Sequence, residues 1–196
     1  MKTFKTFIKE AKMAPKIDAN RGDVAEIILG AAVTARFYNP PQVHAKITRK
    51  HVDDILKQVL RSKQVTVQRP DRQVGEVQID DNIKFKVGVP QKAWKFISDK
   101  NNWSLVDDLF DSAIAYSNGE RRLRGQAFNM YANNKKDVIF VNSDGTGDQK
   151  GTKADIKLLI NGKEAPQQIS LKVAGGEQFG QVAGITFDKQ IEIFGR

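Results

Sequence analysis

An almost wholly apolar stretch near the start of the chain constrains the fold more than any other feature. Residues 24–37 read VAEIILGAAVTARF, and Asp23 can cap a helix here or favour its positive end. The prolines at 40 and 41 stop such a helix. A helix that is apolar on nearly every side must be buried, and its glycine and alanines allow close packing. We therefore predict a central buried helix over 23–37, with Glu26 as its only acid beyond the start of the first turn.

Periodicity along the rest of the chain predicts both helices and strands. Helical patterns lie at 2–13, 48–61, 94–99, 104–118 and 176–194, and strand patterns lie at 64–68, 82–89, 138–143, 154–160 and 167–173. Ser104 with Asp107 three residues later predicts a helix cap, residues 69–76 carry turn signals, and Asn161 with Gly162 marks a hairpin turn. Residues 128–134 fit either a continuing helix or a strand. The order predicts one domain over 1–196 of the α/β class, in the mixed α+β sense, with a long insertion over 40–137.

Charge is concentrated in the first part of the chain. The formal charge is +9 over 196 residues. Residues 1–75 contain 15 Lys and Arg against 7 Asp and Glu, whereas residues 141–196 contain 7 of each. Such an asymmetry favours a polyanionic partner, most often a nucleic acid, because neutralising phosphates releases counterions. A basic surface that only keeps the protein in solution is the alternative.

Several classes of protein and site are excluded by composition. The chain has no cysteine, so disulfides, thiolate nucleophiles and cysteine zinc sites are absent, and two histidines are too few for a histidine-rich metal centre. Any metal would be held mainly by oxygen. No stretch approaches the roughly 18 apolar residues that span a bilayer, and charges interrupt the first residues where a signal peptide needs an apolar run. We expect a protein without membrane contact that stays inside the cell.

Two neighbouring strand patterns bring an acid and a lysine together. Asp155 lies near the start of the first, and Lys172 lies two residues after Ser170 in the second. Alternation places Ser170 and Lys172 on one face, and a hairpin brings them towards Asp155. A carboxylate that holds Mg²⁺ beside an ammonium group suits phosphodiester hydrolysis. A solvated Asp and Lys on a surface hairpin is the alternative.

The order Asp155, strand, Asn-Gly turn, strand and Ser-Leu-Lys resembles the core of the PD-(D/E)XK nuclease superfamily. The resemblance covers residues 154–173 and extends to the helix at 23–37. It implies a restriction-endonuclease-like mixed sheet flanked by helices, in a phage-type or restriction or homing-type endonuclease. Asp155 and Glu26 would bind Mg²⁺ or Mn²⁺, and Lys172 would be catalytic. Ser170 departs from the family because an acid is usual there, so another ligand is needed; Glu26 is the best candidate, although a buried Glu paired with Arg or Lys explains its position equally well.

Further residues support this interpretation. Asp144 is a candidate reserve metal ligand, with a solvated surface loop as the alternative. The resemblance places Gln181, and after it Gln178, near the active site, with ordinary exposed glutamines as the alternative. Candidate phosphate contacts are Lys46, Arg49, Lys50, Arg121, Arg122, Arg124, Lys150 and Lys153. Phe128 and Tyr131 lie close enough to three of the arginines to stack on a base, but we expect them to pack in the core.

Three functions remain open on the sequence. The first is a metal-dependent DNA endonuclease that hydrolyses phosphodiester bonds. The second is a catalytically inactive protein of the same fold, either nucleic-acid-binding or structural in a virion, which Ser170 favours. The third is a basic protein–protein adaptor. The expected location is the cytoplasm of a bacterial or phage-infected cell, or a virion. The expected partner is DNA, together with a second copy of the chain or a partner subunit. We expect either that the sequence is a fragment or that a partner completes its sheet.

Overall fold

The computed structural model describes residues 16–38, 46–62, 64–65, 71–132, 137–143, 155–165 and 169. In this part of the chain, five α-helices and one 3-10 helix accompany an open mixed sheet of six strands. The mixed α+β class is therefore confirmed. The helices predicted at 2–13 and 176–194, and all of the strand predicted at 167–173 except Ile169, lie outside the described residues.

The helices and strands share one hydrophobic core. In chain order they are α1 (Arg21–Tyr38), α2 (Arg49–Arg61), β1 (Gln64–Val65), β2 (Arg72–Asp80), β3 (Ile83–Pro90), α3 (Gln91–Ser98), the 3-10 helix Lys100–Val106, α4 (Asp107–Gly119), α5 (Arg121–Ala132), β4 (Ile139–Ser143), β5 (Lys157–Ile160) and β6 (Lys163–Glu164). The stretch 40–137 therefore supplies α2 to α5, β2 and β3 to the same core that holds α1 and β4.

Helix α1 is the buried helix that the sequence predicts. Every residue from 24 to 37 is buried except Glu26, which is partly exposed. A Cβ on Gly30 would lie 2.8 Å from the ring of Phe85 and 3.4 Å from the Cβ of Ser143, so the helix backbone rests directly on β3 and β4. The cap differs from the expectation: Asn20 Oδ1 accepts from the amide of Gly22 at 2.7 Å, so Asn20 and not Asp23 caps the helix.

The sheet runs β1 to β6 in chain order. Strands β3 and β4 are parallel, and all other neighbours are antiparallel. Parallel neighbours need a long connection, and the segment from α3 to α5 supplies it. The predicted turn at Asn161 and Gly162 joins β5 to β6 with φ angles of 53° and 76°, the pair of positive values that a tight hairpin turn requires.

Two local predictions are wrong. Residues 69–76 do not form a turn throughout, because β2 begins at Arg72. Gly75 is a turn-type residue that here lies within the strand. A Cβ at this position would collide with the indole ring of Trp94, so only glycine lets the ring approach the strand so closely. Ser104 does not cap a helix, since its hydroxyl donates to the carbonyl of Asn101 at 3.3 Å inside the 3-10 helix. The indole N–H of Trp103, which donates to the carbonyl of Ile97 at 2.8 Å, holds that segment in place.

Candidate active site

The candidate site lies where the first half of α1 crosses the end of the parallel strands. The hydroxyl of Ser143, the last residue of β4, donates to the backbone carbonyl of Glu26 at 3.3 Å. Gly30, one helical turn after Glu26, contacts the same serine. These contacts fix Glu26 at the carboxyl end of β4, the edge of a parallel pair where ligands and catalytic groups commonly lie.

Asp155 reaches the same edge through an irregularity in the sheet. The amides of Asp155 and Ile156 both donate to the carbonyl of Ile169, each at 3.1 Å. Two consecutive amides on one carbonyl are the pattern of a β-bulge, which re-aims the side chain of the extra residue. Since β5 runs antiparallel to β4, residue 155 lies beside the end of β4, next to Ser143. The structure thus brings Asp155 to the end of α1 that carries Glu26.

The charges at this edge act strongly on Glu26. The pKa of Glu26 is raised to about 8, first by burial and then by the negative charges of Asp155 and Asp23, while the positive charge of Arg72 lowers it. Burial also raises the pKa of Asp23, which Arg72 opposes. Glu26 therefore stays protonated to a higher pH than an ordinary glutamate.

Arg72 is the basic residue of this cluster. It pairs with Pro90 at the start of β2, which places it at the same edge as the ends of β3 and β4. Its guanidinium donates to the carbonyl of Gly88, which holds the side chain against the sheet. Arg72 thus supplies a fixed positive charge beside the carboxyl groups of Asp23 and Glu26. Its charge partly offsets the burial that raises the pKa of each.

The donor set fits a hard divalent cation in part. Carboxylates without thiolates or imidazoles are the ligands of Mg²⁺ and Mn²⁺, and Mg²⁺ often takes only one or two protein carboxylates together with water and substrate phosphates. Among the described residues, no group of three Asp, Glu or His side chains is arranged to hold a metal ion. Glu26 and Asp155 therefore fit a site of two carboxylates, which water or a phosphate group would complete.

Other predicted site residues fall in three places. Lys172, Ser170, Gln178, Gln181, Asp144, Lys150 and Lys153 lie outside the described residues. Arg49 donates to Asp53 and Asp107 at 2.8 Å each and lies over the ring of Phe110. Its guanidinium group is therefore paired with carboxylates of the protein. The remaining candidates, Lys46, Lys50, Arg121, Arg122 and Arg124, lie on or beside α2 and α5.

The two aromatic residues of α5 are not in the core. Phe128 is 40% exposed and Tyr131 is 47% exposed, so the expectation that they pack inside is wrong. Leu123, Ala127 and Met130 form the buried side of α5 instead.

Sequence reasoning missed two members of the cluster around Glu26. The sequence predicts a role for Asp23 only at the start of the helix. Its position three residues before Glu26 nevertheless puts both acids on one helix face. No sequence pattern marks Arg72 as a site residue, because it lies in the segment 69–76, which carries turn signals.

Comparison of the chain with family models, with curated proteins and with solved structures gave no match. In the part of the chain that the structure describes, no helix is both long and apolar enough to cross a membrane.

Proposed function

We propose that this protein is a metal-dependent DNA endonuclease that hydrolyses phosphodiester bonds, with Mg²⁺ or Mn²⁺ held by Asp155 and Glu26. One arrangement carries the proposal: the carbonyl of Glu26 accepts from Ser143 at the end of β4, and Asp155, far away in the sequence, lies beside the same strand end and raises the pKa of Glu26. Asp155 and Glu26 are the two residues that the resemblance to PD-(D/E)XK nucleases pairs as metal ligands. A restriction-endonuclease-like core, with 40–137 helping to grip DNA, is part of the same proposal.

The raised pKa of Glu26 supports a cation site more than a structural ion pair. A buried carboxylate that is paired with a cation has a lowered pKa, because the partner favours the charged form. Glu26 has the opposite shift, first because it is buried and then because Asp155 and Asp23 lie near it, with Arg72 acting against them. A divalent cation bound beside Glu26 would favour its ionised form and displace the proton.

Each residue of the cluster has a distinct role in the proposed reaction. Asp155 and Glu26 hold the ion, and Arg72 limits the repulsion between the carboxylates so that Glu26 can ionise. A divalent cation bound there would polarise the scissile phosphate and lower the pKa of the attacking water. Lys172, by resemblance, orients that water or offsets the developing negative charge. The basic first third of the chain attracts the DNA backbone.

Plasmid cleavage tests the proposal directly. The wild-type protein is incubated with supercoiled plasmid in Mg²⁺, in Mn²⁺ and in EDTA, beside Asp155→Asn and Asp111→Asn. Asp111 is an exposed carboxylate on α4 and serves as the matched control. We expect the wild type and Asp111→Asn to cleave only with a metal, and Asp155→Asn to lose cleavage while it retains DNA binding within a few-fold. Equal cleavage by Asp155→Asn and the wild type ends the assignment.

A catalytically inactive nucleic-acid-binding protein, cellular or virion-associated, is the second candidate, and Ser170 favours it. Serine is a much poorer ligand for a divalent cation than a carboxylate. This function predicts that the wild type binds DNA but cleaves it in neither metal.

A further inference from the structure

Helix α5 carries a row of basic and aromatic side chains that the core does not need. Arg121, Arg124, Phe128 and Tyr131 follow each other at spacings of three and four residues, which places them along one face of the helix. The opposite face packs into the core through the residues named above. Phe128 and Tyr131 are both exposed large aromatic side chains. We call Arg121, Arg124, Phe128 and Tyr131 the α5 stripe; Arg122 lies about 100° further round the helix.

The charges of the stripe are not explained by the stability of the helix. Three arginines occupy the first turn of α5, where the helix dipole favours acids, and the helix contains no acid at all. Arg121 and Arg122 are exposed. A buried arginine adds to the positive field: burial lowers the pKa of Arg36, and the charge of Arg124 lowers it further.

A further cation joins the stripe from the segment before α2. The side chain of Asn118, near the end of α4, accepts from the amide of Ile47 at 2.9 Å and donates to its carbonyl at 3.0 Å. This pair of bonds holds the exposed Lys46, which precedes Ile47, close to the start of α5. A basic residue from a second segment therefore lies near the start of α5, where the arginines of the stripe are.

The combination of exposed rings and arginines fits a particular ligand chemistry. Guanidinium groups bind phosphates through two hydrogen bonds and also stack on flat rings, which lysine does less well. Exposed Phe and Tyr rings stack on nucleobases that are not already stacked. In a duplex the base faces are covered by their neighbours, so rings on a helix surface cannot reach them. We propose that the α5 stripe binds single-stranded DNA by stacking unpaired bases on Phe128 and Tyr131 and by pairing the arginines with phosphates.

This surface is distinct from the candidate active site. Arg36 and Glu26 lie ten residues apart on α1, which corresponds to about 15 Å along the helix. Binding at the stripe does not require a metal, so it can be measured in EDTA whether or not the protein cleaves DNA.

Fluorescence anisotropy with a labelled oligothymidylate of about 15 nucleotides tests the proposal, a length within the range that single-strand sites cover. The full chain is titrated in EDTA, as wild type, Phe128→Ala, Tyr131→Ala, Tyr131→Phe and Leu105→Ala. Leu105 is 40% exposed on the 3-10 helix and is the matched control for loss of an exposed apolar side chain. We expect Phe128→Ala and Tyr131→Ala each to weaken binding about tenfold, and Tyr131→Phe and Leu105→Ala to bind like the wild type.

A charge variant and two competitors complete the design. Arg121→Gln should lower the slope of log Kd against log salt by about one. Because the changed side chains are exposed, the melting temperatures should stay near that of the wild type, so a loss of binding is not a loss of fold. Equal competition by inorganic polyphosphate and by unlabelled oligothymidylate, with no effect of either ring variant, overturns the proposal in favour of a basic surface. A dimer in solution that Phe128→Ala dissociates overturns it in favour of self-association.

Discussion

Replacing Glu26 by glutamine should stabilise the folded protein at alkaline pH, whereas altering a buried charge usually destabilises a protein. Removing one member of a buried ion pair destabilises a protein, because the partner is left uncompensated. Glu26 instead has its pKa raised from the usual 4.5 to about 8. The unfolded chain loses this proton near pH 4.5, whereas the folded protein keeps it until about pH 8. Stability therefore falls as the pH rises between these values.

The size of the effect follows from the shift. One pKa unit corresponds to about 1.4 kcal/mol, so the full shift would cost about 5 kcal/mol at alkaline pH. Solvent reaches part of this side chain, and screening reduces the expected cost to about 2–3 kcal/mol. Glutamine keeps the shape and cannot ionise, so Glu26→Gln avoids this cost. For a domain of this size, its melting temperature should exceed that of the wild type by about 5–10 °C at pH 9.

The assay is thermal unfolding of the wild type, Glu26→Gln and Asp111→Asn at intervals from pH 5 to pH 9 in EDTA. The stability difference between Glu26→Gln and the wild type should grow steadily with pH, while that of Asp111→Asn stays constant. Adding Mg²⁺ at pH 9 should raise the melting temperature of the wild type and leave Glu26→Gln unchanged. A difference that is the same at every pH, or a loss of stability in Glu26→Gln at pH 9, refutes the reasoning about this carboxyl group.

Three other substitutions probe the fold and the site. Gly30→Ala should lower the free energy of unfolding by about 1–3 kcal/mol, because its methyl group meets the ring of Phe85. Gly125→Ala on α5 has open space around it and should raise the free energy of unfolding by about 0.5–1 kcal/mol. Denaturant unfolding of both variants measures the two changes. Asp155→Asn in EDTA should lower the pKa of Glu26 by removing a repelling charge, and an unchanged side-chain NMR titration of Glu26 would contradict the proximity. Arg72→Gln should move the rising limb of the pH–rate profile to higher pH, since Arg72 favours ionised Glu26; a limb that stays in place excludes this role.

The sequence predicted those parts of the fold that depend on local patterns. Helix α1 followed from an apolar run that ends before two prolines, and the β5–β6 turn followed from Asn161 and Gly162, whose backbone needs positive φ angles. Strand β2 was missed because Gly75 has the same sequence signature in a turn as in a strand that lies against a tryptophan ring. The difference depends on Trp94, a residue that belongs to another element.

The candidate site could be predicted only in part, for a related physical reason. The pattern pointed to Asp155 and Glu26, and the apolar surroundings of Glu26 indicated that its carboxyl group needs a partner. No pattern along the chain encodes the bulge opposite Ile169 that re-aims Asp155, nor the strand register that places Arg72 at the same edge. Such features follow from hydrogen bonds between distant segments, and local periodicity contains no information about them.

The parallel pairing of β3 with β4 has a consequence for the order of folding. Ile83 pairs with Ile139 across the whole helical segment from α3 to α5, so closing this connection costs chain entropy before any contact between the two strands is gained. The β2–β3 hairpin needs only a two-residue turn and is expected to form earlier. Pulse-labelled hydrogen exchange during refolding should protect the amides of β2 and β3 before those of β4. Since Glu26 lies over the end of β4, the carboxylate cluster would then exist only once the last part of the sheet has closed.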